Sequence, residues 1–201
     1  RLLDLDPEGG KYGLGTIHGE MDVHPDDWFL TCHFIDDMVM PGTLMYECCL
    51  HTLRVYLSRL GWLGEADEVV YEPVPGVSGQ LKCRGEVNRA TKKVVYELAI
   101  KELGYNPSPY AIADALMYVD GKPAVEMLNM SLQLTGLTRD SIEAMWAKAG
   151  PALKLNEVPV MPGVAASAGR ASTTAATRTI GSSPATAIDF LFVNWLMATL
   201  R

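Results

Sequence analysis

The stretch CHFIDDMVMPGTLMYECC, from Cys32 to Cys49, sets a histidine and a lone carboxylate on either side of a Pro-Gly break. Glu47 is the only acid between Pro41 and Arg54, and its neighbours are mostly apolar. An ionised carboxylate in such surroundings costs on the order of several kcal/mol in desolvation. The usual escape is to keep the proton, which makes the group a general acid. Two other readings stay open: a pair with His51 one turn later, and a solvent-facing stripe. His33 precedes the helix, among Trp28, Phe29 and Phe34. Partly apolar surroundings keep an imidazole neutral and able to accept a proton, with a purely structural histidine as the alternative. Gly42 and Thr43 open the helix, where backbone N–H groups have no intrahelical partner and can bind an oxyanion. A base, an acid and an oxyanion site describe proton abstraction next to a carbonyl, followed by loss of a β-hydroxyl.

Other residues offer less. His18 lies between Ile17 and Gly19 and is expected to face water; His24 precedes Pro25 in a turn. Cys32, His33, Glu47 and His51 match no common zinc spacing, so no metal is expected. Asp36-Asp37 reads as a solvated loop pair. PEGGKYGLG lacks phosphate-loop spacing and reads as a turn.

Strands and a helix must position these groups. KKVVYELAI puts Val94, Tyr96, Leu98 and Ile100 on one face. EMLNMSLQL is expected to put Leu128, Met130, Leu132 and Leu134 on one face, and VSGQLKCRGEV to turn Val77, Leu81, Cys83 and Val87 one way. TIHGEMDV is an earlier strand, and DGKP a hairpin turn. Pro41-Gly42 starts a long helix that ends at Gly61 and is apolar on nearly every side. A curved antiparallel sheet wrapped around one central helix, an α+β fold, is the simplest architecture. The expected organisation is a domain over 1–137, a short helix over 138–150, a linker over 151–187 and an apolar segment over 188–201.

Composition narrows the function. The net charge is −7, which argues against a nucleic-acid surface. The four cysteines form no CxxC pair and predict a reduced, cytoplasmic protein. No apolar run approaches the roughly 20 residues of a membrane span. The chain starts at Arg1, which suggests a piece of a longer polypeptide beginning inside the first strand.

The same residues resemble the β-hydroxyacyl-ACP dehydratase family. DVHPDDWFLTCHFIDDMVMPGTLMYE is similar to its H-F-x-x-x-x-V-M-P-G-x-L-x-x-[DE] signature, and the likeness runs to about Leu137. W-F-x-x-C-H-F and T-K-K-V-x-Y resemble the β-hydroxydecanoyl dehydratase/isomerase branch. The overall wording is similar to dehydratase domains of polyunsaturated fatty-acid and iterative polyketide synthases. The resemblance implies a hot-dog fold in which His33 takes the C2 proton of a 3-hydroxyacyl thioester and Glu47 protonates the departing hydroxyl. It implies that the Gly42 N–H, after Pro41, binds the thioester carbonyl and that the Val39 carbonyl orients the histidine. Phe34 and Thr43 would line the substrate, with the Thr43 hydroxyl in reach of Glu47. The isomerising branch has Asp at the position of Glu47, so isomerase activity stays open.

The implied partners are an acyl carrier protein, whose phosphopantetheine arm carries the substrate, and a second hot-dog unit, as homodimer or tandem domain. His33 and Glu47 of one chain would then face different sites. No cofactor, nucleic acid or membrane is implied. Lys82, Arg84, Arg89, Lys92 and Lys93 are the cluster available for an acidic carrier. Two alternatives remain: a non-catalytic half that completes a neighbouring hot dog, and a hot-dog thioesterase.

Overall fold

The computed structural model describes residues 1–64 and 69–149. The expected linker and C-terminal apolar segment lie outside them. Among the described residues, seven strands form one antiparallel sheet. They are β1 (Leu2–Asp6), β2 (Thr16–Asp22), β3 (Val70–Glu72), β4 (Gln80–Cys83), β5 (Lys93–Gly104), β6 (Tyr110–Val119) and β7 (Lys122–Thr135). The order is β1-β2-β5-β6-β7-β3, and β4 pairs with β7 beside β3. Helix α1 (Gly42–Arg59) packs on β2, β5, β6 and β7, the hot-dog arrangement expected. Among the described residues no helix is long and apolar enough to cross a membrane.

The period-2 pattern explains the inner face. Val94, Tyr96, Leu98 and Ile100 are all at most 2% exposed, beneath α1. Each large side chain so buried contributes about 1.5–3 kcal/mol. Asp120 and Gly121 both have positive φ, as a two-residue hairpin turn between β6 and β7 requires. The Asp120 carboxylate also accepts the Lys92 and Lys93 N–H groups, at 3.0 and 2.8 Å, and so pins the start of β5. At the other end of the domain, α2 (Arg139–Ala149) starts where Thr138 and Ser141 cap each other. The Ser141 N–H donates to Thr138 Oγ1, and the Thr138 N–H to Ser141 Oγ.

Two strand expectations are corrected. In β7, Leu128 is half-buried rather than inward-facing, while Val125 and Met127 occupy the inner face before it. The cause is Asn129, whose φ of +54° inserts a bulge opposite Asp114 and shifts the alternation by one residue. Met130, Leu132 and Leu134 then point inward as expected. In VSGQLKCRGEV only Gln80–Cys83 forms a strand; Leu81 and Cys83 are exposed and Val87 alone is buried. β4 pairs with β7 at the sheet edge, and all four of its residues are exposed, so neither of its faces is buried.

Asp114 organises the bulge. It is 6% exposed, and its Oδ1 accepts the Asn129 N–H at 3.0 Å. Its Oδ2 accepts from the Tyr12 hydroxyl at 2.6 Å and Lys11 Nζ at 2.9 Å, which clamps the β1–β2 loop. On the inner side of that loop, the Tyr56 hydroxyl of α1 donates to the Leu14 carbonyl at 2.8 Å. Burial pushes the Asp114 carboxyl up, but the hydrogen bonds from Tyr12, Asn129 and Lys11 outweigh it and hold it below its ordinary value of 3.8. The unfolded chain therefore binds this proton more readily. The Asp114 contribution is complete above the ordinary carboxylate range and is lost as pH falls through the folded value. Asp114→Ala is expected to destabilise the protein by about 1–3 kcal/mol at neutral pH. In urea unfolding the gap to wild type should narrow below about pH 4.

Candidate active site

His33 stands on the loop between the single 3₁₀ turn Trp28–Leu30 and α1. It is half-buried, and its ring lies 3.8 Å, centroid to centroid, from the ring of Phe34. Nδ1 is 3.0 Å from the Val39 carbonyl oxygen, and the Val39 N–H returns a 2.7 Å bond to the His33 carbonyl. A carbonyl only accepts, so Nδ1 carries the hydrogen and, in the neutral ring, Nε2 presents a lone pair. Pro41 caps α1, and its carbonyl accepts the Leu44 and Met45 N–H groups. Those of Gly42 and Thr43 stand at the open end of the helix. A Cβ added to Gly42 would meet only Cys83 Sγ, at 3.8 Å, which is ordinary contact. Nothing among the described residues demands glycine there, and the space it leaves adjoins the helix-start N–H.

Glu47 differs from the sequence expectation. The sheet covers one side of α1; along the other, Tyr46, Glu47, Leu50 and Arg54 stay half-buried and Thr43 is exposed. The Glu47 side chain is 29% exposed within this chain. Its Oε1 lies 2.9 Å from His51 Nε2 and 3.9 Å from Arg54 Nη1. The i,i+4 pair with His51, visible as an option in the sequence, is formed. Arg54 reaches Glu47 from nearly two turns away, a spacing that helix-face pairing does not flag. Thr43 makes no hydrogen bond to Glu47 among the described residues.

His51 is only 4% exposed. Burial, and secondly the Arg54 charge, push its pKa down to about 4. The ring is therefore neutral at physiological pH. A neutral imidazole can donate to a carboxylate or accept from a carboxylic acid, so it suits Glu47 in either protonation state.

The other residues stay apart from this chemistry. Cys48 and Cys49 are buried in the core. Burial pushes the Cys48 thiol up to about 11 and Cys49 further, so neither offers a thiolate at neutral pH. His18 approaches Asp4 at 3.7 Å, and His24 is exposed. No cluster of metal-binding side chains occurs among the described residues. Of the cationic cluster, Lys82 is bridged to Glu126 at 3.0 Å and Lys93 to Glu20 at 2.8 Å, while Arg84, Arg89 and Lys92 are exposed. Cys83 reaches the start of α1 through the β4–β7 pairing, a contact with no trace in local spacing.

A histidine held neutral by burial destabilises the fold at low pH. Unfolded His51 takes up its proton near 6.5 and folded His51 only near 4, so stability falls as pH drops between those values. The loss expected is about 3 kcal/mol. His51→Gln should abolish that component, as measured by urea midpoints from pH 7 to pH 4.

A family model described as a FabA-like domain matches residues 1–128, which include His33, Gly42 and Glu47. One of the polyunsaturated fatty acid synthase subunits from Thraustochytrium sp. is 39% identical over 116 residues. That stretch is 57% of this chain and 8% of the relative, so the chain spans a small fraction of the protein it matches. Among solved structures, a hot-dog-like protein from Thermanaerovibrio acidaminovorans aligns over 69% of this chain and 92% of its own, at 11% identity and TM-score 0.44. A thioesterase superfamily member from Thermus thermophilus aligns over 67% and 89%, at 14% identity and TM-score 0.43. With the family model matched over well more than half its length, the chain belongs to the FabA-like family.

Proposed function

We propose that this chain dehydrates 3-hydroxyacyl thioesters to 2-enoyl thioesters, on substrates carried by the phosphopantetheine arm of an acyl carrier protein. The observation that carries the reading is the His33 Nδ1 contact with the Val39 carbonyl, which leaves Nε2 to act as the base, on the loop that leads into α1. Nε2 takes the C2 proton, and the C2–H electrons form the C2=C3 bond. The C3–O bond breaks as the hydroxyl receives a proton from Glu47 and leaves as water. The Gly42 N–H, after Pro41, holds the thioester carbonyl and the negative charge that gathers on it. Val39 orients the base, and Phe34 and Thr43 border the substrate.

The reaction balances with these groups alone, so the proposal names no metal or redox cofactor. In this proposal a second hot-dog unit, homodimer partner or tandem neighbour, supplies the acid opposite each His33. The open stripe of α1 that bears Glu47 supports that reading. Likeness to part of a polyunsaturated fatty acid synthase supports a carrier-fed synthase as the setting. Four free cysteines accord with a cytoplasmic location.

The test offers a 3-hydroxyacyl thioester to the intact protein and follows the 2-enoyl product. His33→Ala and Glu47→Gln should each lower kcat by roughly a hundredfold or more. Free acid in place of enoyl product identifies a thioesterase; absence of turnover with the second unit present identifies a non-catalytic half. Arg84, Arg89 and Lys92 are the cations left for an acidic carrier. Reversing all three to Glu should raise KM for the carrier-bound substrate about tenfold more than KM for a small N-acetylcysteamine thioester. Added salt should mimic the effect in wild type.

A further inference from the structure

Residues 31–39, which carry His33, give the core almost nothing. All are exposed or half-buried, and Met40 is the first buried side chain after Leu30. A loop so placed is located by its backbone partners rather than by packing. His33 takes its partners from Val39, one at the ring and one at the main chain. Val39 forms an isolated antiparallel bridge with Asn88, and the adjoining Met40 N–H donates to the Val87 carbonyl at 2.8 Å. Asn88 in turn opens a tight turn closed by Thr91. The Asn88 N–H donates to Thr91 Oγ1 at 3.1 Å, the Thr91 N–H to the Asn88 carbonyl at 3.0 Å, and the Ala90 N–H to Asn88 Oδ1 at 2.9 Å. Thr91 is 4% exposed and adjoins β5, which is paired on both sides in the sheet. The turn is therefore the point at which the loop is fastened to the rigid part of the domain.

We infer that Thr91 is a positioning residue for His33, acting through Asn88 and Val39. The buried hydroxyl fixes the Asn88 main chain, Asn88 fixes Val39, and the Val39 carbonyl fixes the imidazole. The proposed reaction gives neither Thr91 nor Asn88 a contact with substrate. The inference rests on the reading of His33 as the base.

The contrast with a merely structural turn is kinetic. A displaced base loses turnover while binding is kept, because the thioester is held elsewhere. In the intact protein, with a 3-hydroxyacyl N-acetylcysteamine thioester as probe, Thr91→Val should lower kcat roughly tenfold or more. KM should stay within about twofold. Thr91→Ser, which keeps the hydroxyl, should restore most of the rate. Should Thr91→Val not fold, Asn88→Ala carries the same test, since it removes the side-chain acceptor of the turn. The inference is overturned if the variant that folds turns over within twofold of wild type while His33→Ala is inactive, or if Thr91→Ser is as impaired as Thr91→Val. An active His33→Ala would overturn the dehydratase reading itself and this inference with it.

Discussion

Helix α1 fits the sheet in one rotation. Leu44, Met45, Cys48, Leu53, Tyr56 and Leu57 meet the inner face formed by Val94, Tyr96, Leu98, Ile100 and Met117, all of them nearly or fully buried. At about 1.5–3 kcal/mol for each large side chain, that contact exceeds anything the polar stripe contributes. The Glu47–His51 contact, on a partly exposed side chain, contributes about 1 kcal/mol at most. Packing therefore decides where the acid goes. Turning the helix to bury Glu47 would expose the leucines, so the carboxylate stays on the open side and the helix start stays beside β4.

His33, the proposed base, is held by different means. His33 belongs to a loop without a core of its own, and its geometry comes from a chain of main-chain bonds that runs through Val39 and Asn88. Glu47 is thus set by hydrophobic packing and His33 by hydrogen bonds. These respond differently to change: packing tolerates loss of a polar group, whereas a hydrogen-bonded relay transmits it. His51 stands 2.9 Å from the same carboxylate, and burial holds its ring neutral.

Much of this was legible in the residues themselves. Alternation in KKVVYELAI, the Asp-Gly turn and the Pro41 start of α1 are local signals, and the structure repeats them. The H-F-x-x-x-x-V-M-P-G run pointed to a contact of His33 with the Val39 carbonyl, and the structure has it at 3.0 Å. The misreadings arose where the governing partner is distant. Leu128 turned outward because Asn129 adopts a left-handed conformation opposite Asp114, a residue of the neighbouring strand. β4 is exposed on both faces, an outcome set by what packs over the strand, which no periodicity reveals.

The amino-acid order by itself determined the β2 and β5 strands, the β6–β7 turn and helix α1, since period, turn chemistry and capping act over a few residues. It also determined the types of group available for acid–base chemistry. Only the tertiary structure decided how far Glu47 is enclosed, that Arg54 and His51 both approach it, and that Thr91 fastens the loop of His33. Those outcomes depend on which surfaces meet across the fold, and the free energy of that meeting is a property of the assembled core rather than of any one segment.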